Sequence, residues 1–122
     1  MKAIIVEPDA RPRVADIQSD LESLQKIVEG NIETVYVHDD SSCLIVNEEG
    51  KLIPTMQPNR ALRDSNGNII DILYGCILVV GISEDEGDFC DLTPEQIDRY
   101  MKLYHNKEMF IRKGDRIISF AV

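Results

Sequence analysis

The apolar residues of this chain fall mostly in short β-branched runs closed by turn residues, with two stretches at helical spacing. Ala3-Ile4-Ile5-Val6 is nearly continuous, which predicts a strand covered on both faces, central in its sheet. Pro8-Asp9-Ala10-Arg11-Pro12 reads as a turn, and Arg13 to Ile17 as a second, short strand. Asn31 to Val37 alternates imperfectly, and Cys43 to Val46 is an apolar strand. Asn47-Glu48-Glu49-Gly50 then suggests a hairpin loop with Lys51 to Ile53 as its return. Asn68 to Leu73 fits either a strand or one helical turn. Cys76 to Ile82 is the most apolar run and predicts a buried strand. Met109–Arg112 and Arg116–Phe120 form a final hairpin over Lys113-Gly114-Asp115.

Two segments carry the helical period. Leu21, Leu24, Ile27 and Val28 share one face, with Ser19 and Glu22 spaced as a capping box and Gly30 as the stop. Thr93-Pro94-Glu95-Gln96 starts the second helix, with Leu92 and Ile97 as the staple. Its buried face is Ile97, Tyr100, Met101 and Tyr104. Hairpins dominate and few connections suit a parallel crossover. The expected fold is therefore α+β: a mostly antiparallel sheet with two helices packed on it, in a single domain 1–122.

The stretch around Pro58-Asn59-Arg60-Ala61-Leu62-Arg63-Asp64 is read as a loop between rigid marks, Pro58 on one side and the Asn66-Gly67 turn on the other. Guanidinium forks suit carboxylates and phosphates. Asn59, Arg60, Arg63, Asp64 and Asp71, with Tyr74 or Tyr100 as a stacking ring, are the candidate ligand set. The alternative is that Arg60 pairs with Asp64 or Asp71 and only ties the loop down.

Charge narrows the classes. The 122 residues carry 22 acids against 13 Lys and Arg, a net charge of −9. That argues against direct nucleic-acid binding. Seven acids lie between Glu84 and Asp98 before the first base, Arg99. Glu84, Asp85, Glu86 and Asp88 are the candidate partner-binding residues, facing a basic protein surface. The loop lacks the order of an EF-hand, and Cys43, Cys76, Cys90, His38 and His105 lack zinc-site spacing. No metal or cofactor is expected. There is no phosphate loop, nucleophile elbow or H-E-x-x-H motif, and His38 beside Asp39 is the one weak candidate for a base. A non-catalytic role follows. The opening apolar run is too short for a signal peptide and no run approaches a membrane span, so the expected location is the cytoplasm. Three unpaired cysteines agree with that compartment.

Several segments in order carry a resemblance: Lys2-Ala3-Ile4-Ile5-Val6-Glu7-Pro8, the Leu21–Gly30 helix, Asn47-Glu48-Glu49-Gly50-Lys51-Leu52, Pro58-Asn59-Arg60-Ala61-Leu62, Ile70-Asp71-Ile72, Gly75 to Gly81, and Phe89-Cys90-Asp91-Leu92-Thr93. Together, over residues 2–104, they resemble an uncharacterised family of small phage and mobile-element proteins known only as a domain of unknown function, the 3846 family. The hairpin at 109–122 stands outside that pattern. The resemblance implies a phage or mobile-element origin, a host-cell setting and no particular reaction. Two functions are expected from these observations. One is binding and inhibition of a host, defence-related protein through the acidic face. The other is sequestration of a nucleotide-like small molecule by the Asn59–Asp71 region. Exposed edge strands make a homodimer possible.

Overall fold

The computed structural model describes all of residues 1–122. In chain order the elements are β1 (Lys2–Val6), β2 (Arg13–Asp16), α1 (Leu21–Val28), β3 (Ile32–Val35), β4 (Ser42–Asn47), β5 (Pro58–Arg63), β6 (Ile69–Tyr74), β7 (Ile77–Ile82), β8 (Phe89–Cys90), α2 (Pro94–Leu103), β9 (Glu108–Lys113) and β10 (Arg116–Ala121). The principal sheet runs β2-β1-β7-β4-β3, with β8 added on β7. β5–β6 and β9–β10 are separate two-stranded sheets, and every strand pair is antiparallel. The fold is α+β. β7 holds the centre and β1 lies beside it, with Ala3 to Val6 all buried.

Both faces of the principal sheet are covered, which is why its inner strands read as continuous apolar runs. Ala3, Ile5, Cys43, Ile45, Leu78 and Val80 pack with Leu24 and Val28 of α1. On the opposite face Ile4, Val6, Leu44, Ile77 and Val79 pack with Tyr100 and Tyr104, and with Leu62 and Leu73 of β5–β6. Burial of the Ile, Leu and Val side chains among them contributes roughly 1.5–3 kcal/mol each before the loss of conformational entropy.

The boundaries correct several sequence expectations. α1 is capped by Asp20, whose carboxylate accepts from Ser23 N at 3.1 Å, so Ser19 is not the N-cap. Its stop is Glu29, in the left-handed region at φ 64°. Gly30 is small for another reason: a Cβ there would sit 2.6 Å from Asn47 Nδ2. Asn47 uses that approach to donate to Val28 O at 3.0 Å. Lys51 to Ile53 is no return strand. Gly50–Leu52 is a single 3₁₀ turn, because both edges of β4 are already taken by β3 and β7. The ambiguous segment before Tyr74 is strand β6.

Pro58 to Arg63 is likewise a strand and not a loop. β5 pairs with β6 across the Asn66–Gly67 turn, where Gly67 has φ 82°. Register shifts after Pro58 and after Leu62 break the alternation, and Asn59 and Arg60 are both buried. α2 forms as its sequence predicts. Thr93 Oγ1 accepts from Gln96 N at 3.1 Å and Gln96 Oε1 accepts from Thr93 N at 2.9 Å, a complete capping box. No helix is long and apolar enough to cross a membrane.

Candidate functional site

The residues expected to bind a ligand do not converge. Arg60, only 1% exposed, spends its guanidinium inside the protein. Its Nε and Nη2 donate to Tyr104 O at 3.3 and 3.0 Å, and Nη2 also to Ala10 O at 2.8 Å. Nη1 donates to Asn59 Oδ1 at 2.8 Å and Asn59 O at 3.3 Å. These bonds use all five N–H groups. Neither the clamp nor a pair with Asp64 or Asp71 describes it. Tyr104 is the C-cap of α2, so the cation sits at the negative end of that helix. Burial lowers the Arg60 pKa, and the nearby Glu108 carboxylate works against that shift. Asn59 Nδ2 donates to Val6 O and Gly75 O, both at 2.8 Å. Together Asn59 and Arg60 pin β5 to the end of β1, the β6–β7 turn, the turn after β1 and the end of α2.

The other members scatter. Asp64 Oδ1 accepts from Asn66 N and Asn68 N at 2.9 Å each and shapes the β5–β6 turn. Asp71 pairs with Lys51, and these two with Tyr74 border a hollow on the far side of β6. Asp71 and Tyr74 also line a hollow of about 410 Å³ beside Ile117 of the C-terminal hairpin, and of Asn59, Arg60, Arg63, Asp64, Asp71 and Tyr74 only Arg63 reaches a larger one. This groove of about 620 Å³ lies between β5–β6, the end of α2, the segment before β4 and the C-terminal hairpin. His38, Arg63, Asn106, Glu108 and Ser119 supply its polar lining, and Tyr36, Val37 and Leu103 much of its apolar wall. Glu108 lies 3.8 Å from Arg63 and accepts from Ser119 Oγ at 2.6 Å and from Ala61 N at 3.2 Å.

A polar cluster that the sequence reading missed adjoins the groove. The His38 ring stacks on Tyr100 with centroids 4.3 Å apart, and its Nε2 lies 2.9 Å from Tyr104 Oη. Tyr100 Oη and Ser42 Oγ both donate to Asp40, which also pairs with Arg99 at 2.8 Å. Burial lowers the His38 pKa, Asp40 opposing and Arg99 reinforcing. Burial pushes Asp40 upward, but the hydrogen bonds from Ser42, Tyr100 and Gln96, together with Arg99, bring it below its ordinary value. Burial also raises both tyrosines. A signal existed in the sequence: two tyrosines at i and i+4 on a buried helical face need partners for their hydroxyls. Which partners they find depends on the chain crossing.

The acids of residues 84–88 behave differently. All five residues of this loop are exposed. The loop is closed by Ser83 N to Asp88 O at 2.7 Å and Gly87 N to Ser83 O at 2.8 Å. Glu84 accepts from Ser41 Oγ at 2.8 Å, and Gln96 Nε2 of α2 donates to Ser41 O at 3.3 Å. Those two bonds fasten the loop, the turn before β4 and the first turn of α2 into one end of the molecule. Asp39, Asp40, Glu95 and Asp98 border a shallow concavity there. Asp40 and Asp98 are paired with Arg99 and Lys102. Asp39, Glu84, Asp85, Glu86, Asp88 and Glu95 have no cation within 4.0 Å, so this end is an anionic surface.

The cysteines show no sign of activation. Burial raises the Cys43 thiol to about 11 and the Cys76 thiol to about 12, and Cys90 also upward. Nowhere does the structure bring three His, Cys, Asp or Glu side chains together in metal-binding geometry.

The fold and its surfaces thus define a small α+β protein with one anionic end and one amphipathic groove. The chain belongs to the family described as a domain of unknown function, DUF3846, whose model matches residues 1–105. The match ends just before β9, so the C-terminal hairpin lies beyond it. No curated protein and no solved structure matches the chain.

Proposed function

We propose that this protein is a non-catalytic binding protein of phage or mobile-element origin that acts in the host cytoplasm. In this reading its anionic end engages a basic surface on a host, defence-related protein. The observation that carries it is the convergence of three chain segments on one end where Asp39, Glu84, Asp85, Glu86, Asp88 and Glu95 have no cation partner. Like charges held together without compensation reduce stability, and their return is attraction and orientation of an oppositely charged partner.

The test is capture from bacterial host lysate on immobilised wild-type protein and on the variant Glu84→Gln, Asp85→Asn, Glu86→Gln, Asp88→Asn. Wild type retains a discrete partner, the neutral variant does not, Arg63→Ala does, and raised salt releases it. Identical recovery on wild type and the neutral variant overturns the reading.

A second reading rests on the groove. Arg63 and His38 flank a cavity large enough for a nucleotide-sized molecule, with Tyr36 available for stacking. Here the small-molecule site moves from the Asn59–Arg60 pair, which is interior, to the surface that Arg63 reaches. A thermal-shift screen with nucleotides and cyclic oligonucleotides tests it. Saturating ligand at about a hundred times its Kd adds roughly 2.7 kcal/mol, and Arg63→Ala abolishes that shift.

A further inference from the structure

The C-terminal hairpin has no buried residue, and its chemistry is opposite to the anionic end. Cross-strand register places Met109 beside Phe120 and Ile111 beside Ile118 on one face, while Glu108 and Ser119 alternate onto the groove side. Met109, Ile111 and Phe120 are 55%, 46% and 48% exposed, so the outer face is an apolar strip without cover. Lys113 and Arg116, opposite each other in the same register, extend that face at its tip. Neither they nor Arg112 has an acid within ion-pair distance, whereas Lys107 at the base reaches Asp9. β10 pairs only with β9, so its outer edge is open.

The matching surface is on the same chain. Tyr36, Val37 and Leu103 are 68%, 39% and 59% exposed. They lie beside Asp39 and Glu95, two acids without cation partners, around the groove and the concavity next to it. The same border carries Arg99 and Lys102, but each is paired with an acid, so Asp39 and Glu95 leave it net negative and complementary to the hairpin tip. The hairpin cannot fold its outer face onto its own α2 flank, because its inner face already lines the groove. Charge separates the two regions in the same sense. Residues 1–104 hold nine Lys and Arg against twenty acids, whereas residues 105–122 hold four against two.

We propose that the chain forms a two-fold homodimer in which the outer face of each β9–β10 hairpin docks on the other copy's α2 flank. Met109, Ile111 and Phe120 cover Tyr36, Val37 and Leu103, while Lys113 and Arg116 face Asp39 and Glu95. A reciprocal contact of this kind is closed, so it stops at two copies. It uses Asp39 and Glu95 of the anionic end but leaves the Glu84–Asp88 loop free on each copy, so neutralising that loop leaves the dimer intact and separates this inference from the acidic-end reading.

Sedimentation velocity and light scattering on the full chain at micromolar concentration test it. The expected mass is twice 13.8 kDa. Lys113→Glu with Arg116→Glu weakens dimerisation by about tenfold or more. Phe120→Ser weakens it as well, and circular dichroism verifies that each variant is folded. Adding Asp39→Lys and Glu95→Lys to the charge-reversed hairpin restores the dimer. A chain monomeric throughout the concentration range overturns the proposal, as does a dimer unaffected by these variants or one the charge swap fails to restore. Sedimentation of a monomeric chain with anionic phospholipid vesicles would make lipid the occupant of the hairpin face and equally overturn it.

Discussion

Arg60 shows what one buried cation can hold together. It satisfies backbone carbonyls from two distant segments and a side-chain oxygen from its neighbour. Removing it takes the donor away from Ala10 O, Tyr104 O and Asn59 Oδ1. Arg60→Met is therefore expected to cost about 3–5 kcal/mol in denaturant unfolding, against under ~1 kcal/mol for Arg63→Met on the half-exposed edge. Equal small losses would show that Arg60 is not the pin described. His38 makes a pH prediction. Its folded pKa lies below its ordinary 6.5, so the unfolded chain takes up a proton first as pH falls. Its neutral form contributes stability in full above that ordinary value, and the contribution is lost as pH drops through the folded pKa. His38→Phe retains the stack on Tyr100 and is expected to flatten the slope of stability against pH just below 6.5. An unchanged slope would assign the dependence to other groups.

Among the elements, the two helices test how capping is read. At α2 the Thr93 and Gln96 bonds are both present, and Thr93→Ala is expected to cost about 1 kcal/mol. At α1 the cap is one residue later than the Ser19/Glu22 spacing suggests. Thermal denaturation should show Asp20→Ala lowering the midpoint and Ser19→Ala leaving it unchanged; the reverse ranking would restore Ser19 as the cap. Both residues are good N-caps, and only the backbone path into the helix selects between them. β5 is the larger lesson at this scale. Its polar letters looked like a loop because strand patterning assumes that polar side chains face water. Asn59 and Arg60 face inward, because the carbonyls of β1, the β6–β7 turn and the C-terminal end of α2 point at them.

Across the whole molecule, charge is the organising asymmetry. The anionic end keeps its acids near one another with few cations, so part of the folding free energy is spent on repulsion. Neutralising Glu84, Asp85, Glu86 and Asp88 is expected to raise the melting temperature at low ionic strength, with the difference closing as salt screens the charges. A variant no more stable than wild type at low salt would show that the acids are too far apart to repel. Under the proposed role in recognition, acids that lower stability would fit the usual exchange between stability and function.

By itself, the sequence determined the fold class, most strands, both helices, the C-terminal hairpin and the family. Each of these rests on local periodicity, capping chemistry or turn residues within a few positions of each other. It also determined that acids gather in the 84–98 stretch. Only the tertiary structure decided where side chains end up relative to distant backbone. It turned Arg60 inward and left Arg63 at the groove, closed the edges of β4 so that no hairpin could form after Asn47, and brought His38 and Asp40 onto the α2 tyrosines. It also fastened the acidic loop to Ser41 and Gln96. Those outcomes depend on contacts tens of residues apart along the chain. Such contacts leave no period in the sequence, because they are chosen by which carbonyls and hydroxyls need partners once the sheets have closed.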